Sequence, residues 1–145
     1  MYIAVDFDGT CVTHEFPEVG KEIGAAEVLK KLASKGHKII LNTMRSDKLT
    51  VVNGVPRNTL QEAIKWFEDH GIKLYGVNRN PSQWRWTTSN KVHADVFIDD
   101  LALGCPLVTN KNICSRPYVD WEEVATWFYN CDVFEEEDME DLGIF

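Results

Sequence analysis

Four short apolar runs, Tyr2–Val5, His37–Leu41, Ile72–Val77 and Ala94–Ile98, punctuate this chain, and amphipathic helical stretches separate the earlier ones. Runs of that length with no polar alternation suit strands buried on both faces, as in a parallel sheet. Between the first two runs, Ile23, Ala26, Val28, Leu29 and Leu32 recur at near-helical spacing and Gly36 stops the helix, predicted over residues 20–34. Between the second and third, Thr59-Leu-Gln-Glu62 reads as a capping box ahead of Leu60, Ala63, Ile64 and Phe67, with Gly71 as the stop. Asp120 reads as the cap of a last helix, Trp121–Tyr129. The expected fold is one α/β domain: a three-layer, Rossmann-like parallel sheet with helices on both faces. It is expected to span residues 1–134.

The strand ends carry the chemistry. The first run passes directly into Asp6-Phe-Asp8-Gly9-Thr10, the second into Asn42-Thr43, and the fourth into Asp99-Asp100. Alternation along an extended backbone puts Asp6 and Asp8 on one side. Two like charges so placed are costly unless a cation lies between them or one holds a proton. Asp-Gly is also a common turn pair, so Asp8-Gly9 alone would mark only a strand-ending turn. Four carboxylates at two strand ends, with a threonine at a third, go beyond turn chemistry. Ligands of open α/β sheets bind at this edge.

Composition narrows the function classes. The 145 residues include five Trp and seven Phe, enough for a core without disulfides, and the net charge is −8. That charge offers no basic footprint for long nucleic acid or an anionic membrane. Cys11, Cys105, Cys114 and Cys131 have neither zinc-ligand nor disulfide-framework spacing. With no signal-peptide pattern and no apolar run near membrane length, a reduced cytoplasmic setting is expected. Glu135–Asp141 is an acidic block, so residues 135–145 read as a solvated, partly disordered tail. His14, His37, His70 and His93 show no ligand spacing, although His14 follows the first acidic motif closely enough to meet a leaving group.

Asp6-Phe-Asp8-Gly9-Thr10, Ile40-Leu-Asn-Thr43, Lys91 and Phe97-Ile-Asp99-Asp100, taken in order, resemble the four motifs of the haloacid dehalogenase (HAD) superfamily, over residues 1 to about 105. The second Asp of the first motif is the mark of that superfamily's phosphatases and phosphotransferases. The resemblance implies a Mg²⁺-dependent phosphomonoester hydrolase working through an aspartyl-phosphate. Asp6 would be the nucleophile and Asp8 the general acid, then the base. Thr43 would bond a phosphate oxygen, and Lys91 would neutralise charge on the transferring group. Asp6, Asp8 (through its backbone carbonyl), Asp99 and Asp100 would hold Mg²⁺. Gly9 and Thr10 would complete the phosphate cradle, and Arg45 would reach a substrate phosphate.

Too few residues separate the motifs for a folded cap domain, so a capless member is implied. Its open site suits a small phosphorylated substrate, a phosphate on a larger molecule, or a site covered by a second subunit. Polynucleotide-end hydrolysis and a non-catalytic protein-binding role on the same scaffold are the alternatives.

Two loops are candidates for a partial lid. Leu49-Thr-Val-Val52 followed by Asn53-Gly54 reads as a small hairpin. Trp84 and Trp86, flanking Arg85, suggest a stacking platform for a base or sugar. Packing beneath their own loop is the favoured reading of the two.

Overall fold

A computed structural model describes all residues, Met1–Phe145. In chain order the elements are β1 (Tyr2–Val5), α1 (Ala25–Ser34), β2 (Lys38–Leu41), β3 (Thr50–Val52), β4 (Val55–Arg57), α2 (Thr59–Asp69), β5 (Leu74–Val77), a 3₁₀ turn (Gln83–Arg85), β6 (Val96–Ile98), β7 (Leu107–Val108), β8 (Tyr118–Val119), α3 (Trp121–Asn130) and α4 (Glu136–Asp141). The four apolar runs form a four-stranded sheet ordered β5-β2-β1-β6, and every pairing is parallel. The fold is therefore α/β with a parallel sheet flanked by helices.

Strand order explains which face each connection covers. From β1 through α1 to β2, and from β2 through α2 to β5, the chain steps in one direction across the sheet. Right-handed crossovers then place both helices on the same face. The return from β5 at one edge to β6 at the other reverses direction, so this connection crosses the opposite face. It contains no helix beyond the 3₁₀ turn.

The expected cover of helices on both faces is thus corrected. The buried side chains of all four helices share one core cluster with Ile3, Val5, Ile39, Leu41 and Ile98. On the other face Ala4 and Ile40 pack only with Val92, Tyr2, Tyr75 and Ala94. Pro81 and the run of Asn, Ser and Thr in the β5–β6 connection explain why no helix formed there.

Helix boundaries shift for local reasons. α1 begins at Ala25, five residues later than predicted, because Gly24 adopts a left-handed φ of 92°. α2 is capped by Asn58, whose side chain accepts from Gln61 N, in place of the expected Thr59 box. Glu62 turns instead to Arg57. Asp120 caps α3 as expected, accepting from the backbone of Glu122 and Glu123. The predicted hairpin is present as β3–β4, with both turn residues at positive φ, Asn53 at 50° and Gly54 at 78°.

The acidic C-terminal segment is folded, against expectation. Glu135 and Asp138 form a reciprocal capping box for α4. Met139 is fully buried in the main core, and Asp138 accepts from Lys35, the C-cap of α1, at 2.7 Å. A single apolar residue among acids anchors this helix. No helix is long and apolar enough to cross a membrane.

Candidate active site at the carboxyl edge of the sheet

Because all four sheet strands are parallel, they end at one edge. β1 delivers Asp6 and Asp8, β2 delivers Thr43, β5 delivers Asn78, and β6 delivers Asp99 and Asp100. A cavity of about 290 Å³ opens there, lined by all four of these aspartates together with Thr43, Arg45, His14 and Arg116. A larger groove, about 500 Å³, lies between β6 and α3 but is lined mainly by apolar side chains.

Asp6, Asp99 and Asp100 converge, each offering an oxygen within 4.8 Å of the others. Asp6 is held by its backbone N–H, which donates to Ile98 O across the β1–β6 pair at 3.0 Å. Burial, with Asp99 and Asp100 adding like charge, pushes the Asp6 carboxyl up to about 7, although a backbone hydrogen bond from Phe7 works the other way. A cation among these three groups would relieve that repulsion. Three carboxylates and no sulfur or imidazole form the hard, all-oxygen donor set that suits Mg²⁺-like or Ca²⁺-like ions.

Thr10 holds this cluster from behind. Its hydroxyl lies 3.3 Å from Asp6 Oδ2 and 3.2 Å from Asp100 Oδ1, and it accepts from Asp100 N at 3.0 Å. Thr10 is fully buried. It therefore positions the acids and is not available to a substrate, which corrects the expectation of direct binding. Gly9 has a comparable duty. At φ 79° it lies so close to the Asp100 carboxylate that a Cβ would collide with it.

The Asp8 carboxylate stands apart from the cluster of the other three carboxylates. Arg45 grips it with two bonds, Nε to Oδ2 at 2.8 Å and Nη2 to Oδ1 at 2.7 Å. Arg45 also donates to Glu18 O and Thr59 O, and its guanidinium lies about 5 Å from the ring centres of Phe7 and Phe16. Its side chain is 1% exposed. A fully engaged, buried arginine cannot meet a substrate phosphate, so Arg45 positions Asp8 instead.

Thr43 meets its expectation in placement. Its backbone N–H donates to Asn78 Oδ1 at 2.7 Å, and its hydroxyl accepts from Arg45 N at 3.1 Å. That leaves the hydroxyl proton free to donate into the cavity.

Lys91 is not brought to the site. It is exposed in the connection that crosses the opposite face and does not line the cavity. Buried Gln83 fixes its backbone by donating to Lys91 O at 2.9 Å. The cation present instead is Arg116, from the β7–β8 loop, exposed and lining the cavity. Sequence reasoning missed it, since Arg116 follows Ser115 in a loop outside every recognisable motif.

The rim was missed as well. Phe16, Met44 and Leu101 line the cavity and are exposed apolar residues. The β3–β4 hairpin contributes nothing to the cavity and is no lid in this conformation. Trp84 and Trp86 do not pack beneath their loop: they are 71% and 64% exposed.

Fold and site together define a parallel α/β protein with a metal-capable carboxylate cluster where its strands end. No family model matches the sequence, and no curated protein matches it. A solved structure, described as that of a conserved protein coded by a locus from Bacteroides thetaiotaomicron, is 32% identical over 96% of each chain, with a TM-score of 0.65. The chain belongs to the same family as that protein.

Proposed function

We propose that this protein is a metal-dependent phosphomonoester hydrolase of the HAD type, capless, with Mg²⁺ as the resident ion. The carrying observation is the convergence of Asp6 with Asp99 and Asp100, while Asp8 faces the same cavity from two residues further on. Nucleophile, metal-capable acids and a second carboxylate in one 290 Å³ space are the set that phosphoryl transfer through an aspartate needs.

Asp6 is the nucleophile. Its free oxygen attacks phosphorus, forming the Asp6 O–P bond as the ester O–P bond breaks. Asp8 gives a proton to the departing alcohol oxygen, and then takes one from the water that cleaves the aspartyl-phosphate. Both Asp8 oxygens accept from Arg45 in the resting site, so one of these bonds opens for each proton transfer. Thr43 donates its hydroxyl to a phosphate oxygen. Arg116 supplies the positive charge expected of Lys91. Asp6, Asp99 and Asp100 would hold the metal ion, which when bound neutralises the charge between the Asp6 carboxylate and the phosphate dianion. His14 also lines the cavity.

The test is hydrolysis of p-nitrophenyl phosphate with Mg²⁺, with EDTA, and by Asp6→Asn in parallel. Turnover that requires both the metal and Asp6 supports the reading. Undiminished turnover by Asp6→Asn overturns it.

A further inference from the structure

The connection that crosses the second face of the sheet is built with more order than a covering loop requires. Two of its amides are buried and fully engaged. Asn80 donates to His93 O and accepts from Ser82, while Gln83 donates to Ser89 O and Lys91 O and accepts from His93 N. Gly76 lets the turn fold back on β5, since a Cβ there would collide with Arg79 O. Buried amides satisfied on both ends make a preorganised wall.

This fixed loop turns Trp84 outward, 71% exposed, beside a second cavity. The indole is thus held at the cavity mouth by a fixed backbone and offers its face to a ligand there. The cavity, about 540 Å³, includes Asn78, Arg79 and Asn90 in its lining, and none of its ten lining residues is acidic.

The cavity adjoins the phosphate site. Asn78, at the end of β5, shares a wall of this cavity and binds Thr43 N at 2.7 Å. β5 lies two strands from β1, about 10 Å away at ordinary strand spacing. A ligand with its phosphate at Asp6 and Thr43 that extends along the strand ends meets Asn78, the residue through which the two cavities are joined.

We infer that this second cavity is the leaving-group subsite and takes a nucleobase, so that the substrate is a nucleoside monophosphate. Trp84 supplies a stacking face, the Asn90 amide supplies a paired donor and acceptor for a base edge, Asn78 keeps its Nδ2 as a further donor while its Oδ1 holds Thr43 N, and Arg79 suits an anionic ligand. A pyranose is the poorer fit, because vicinal hydroxyls are best bound by carboxylates that accept from them, and none lines this cavity. The overall negative charge disfavours a polynucleotide and favours the single nucleotide. The inference rests on the phosphomonoesterase reading for the fate of the ester, though not for binding of the base.

Calorimetric titration of adenosine 5′-monophosphate and ribose 5-phosphate, with turnover of both, tests it on wild type, Trp84→Ala and Trp84→Phe. The nucleotide should bind roughly tenfold more tightly than the sugar phosphate, within what base–aromatic stacking delivers. Trp84→Ala should erase that ratio and Trp84→Phe should retain most of it. A ratio near one in wild type, or one unmoved by Trp84→Ala, overturns the subsite. So does tighter binding of glucose 6-phosphate that is lost in Trp84→Ala. If nucleotide binding follows the expected pattern but no ester is turned over, the hydrolase reading falls and the subsite stands. Equal kcat/KM on every ester has the opposite meaning.

Discussion

Arg45 closes a two-bond fork on Asp8, at 2.8 and 2.7 Å, with the guanidinium 1% and the carboxylate 13% exposed. The pair joins the loop after β1 to the loop after β2, so one interaction fixes the relative placement of two of the strand ends that form the site. Breaking such a pair leaves an uncompensated charge, at a cost of about 3–5 kcal/mol. Arg45→Ala should lose stability on that scale in urea denaturation. It should also lose turnover by about a hundredfold or more, since the freed Asp8 no longer meets the leaving oxygen. Arg45→Lys, with charge but no fork, should fall between the two.

Exchanging roles between two cations gives a second expectation. Arg116→Ala should lower kcat/KM for phosphate esters by about a hundredfold to a thousandfold, the loss typical when one donor to the charge developing in the transition state is removed. Lys91→Ala should remain within about twofold of wild type, as a solvated side chain outside the site should. Steady-state kinetics on the two variants compare them directly. A larger loss from Lys91→Ala would return that residue to the site.

The Asp6 carboxyl, raised to about 7 chiefly by burial, makes metal-free stability depend on pH. Between its ordinary value of 3.8 and about 7, the folded chain holds a proton that the unfolded chain has released. Raising pH across that window therefore favours unfolding. Metal-free Tm should fall as pH rises from about 4 to about 7 and level off above, and Asp6→Asn should flatten this slope. Protons and Mg²⁺ compete for the same oxygens, so millimolar Mg²⁺ should raise Tm more at pH 8 than at pH 5.

Met139 tests whether α4 belongs to the domain. It is fully buried, so Met139→Ala should cost about 2–5 kcal/mol by the usual large-to-small penalty. The loss should appear as a lower urea midpoint for the whole domain. Asp138 adds a pH component to the same contact: its carboxyl is held below the ordinary value by a backbone bond at Glu135 and by Lys35, which together outweigh its burial. That contribution is present above about pH 4 and is lost as pH falls through the lowered value. Helical signal from α4 should therefore be lost at acidic pH, at a higher pH in Met139→Ala than in wild type.

The strands were legible because a buried parallel strand must be apolar throughout, and their acids were legible because Asp6, Asp99 and Asp100 interrupt such runs abruptly. What the sequence concealed depends on contacts between distant residues. Nothing near Arg45 shows that its partner is Asp8, 37 residues away. Arg116 has no local pattern, because a loop residue becomes a site residue only through the path of its loop. Lys91 had suitable spacing, yet the reversal of direction between β5 and β6 carried it to the other face. In the acidic segment the abundant charges masked Met139, whose burial outweighs the polarity of its neighbours. Thr59 gave way to Asn58 as the α2 cap because Arg57, at the hairpin's end, engages Glu62.

The buried indole of Trp121, at the start of α3, donates to the carbonyl of Thr10 at 2.7 Å. Thr10 in turn holds Asp6 and Asp100. During synthesis the acidic motif leaves the ribosome first, but the bond that fastens its loop waits for residue 121, more than a hundred positions later. The nascent chain thus carries its acidic motif for most of translation without the frame that holds it, and the carboxylate cluster is complete only after the third helix has emerged.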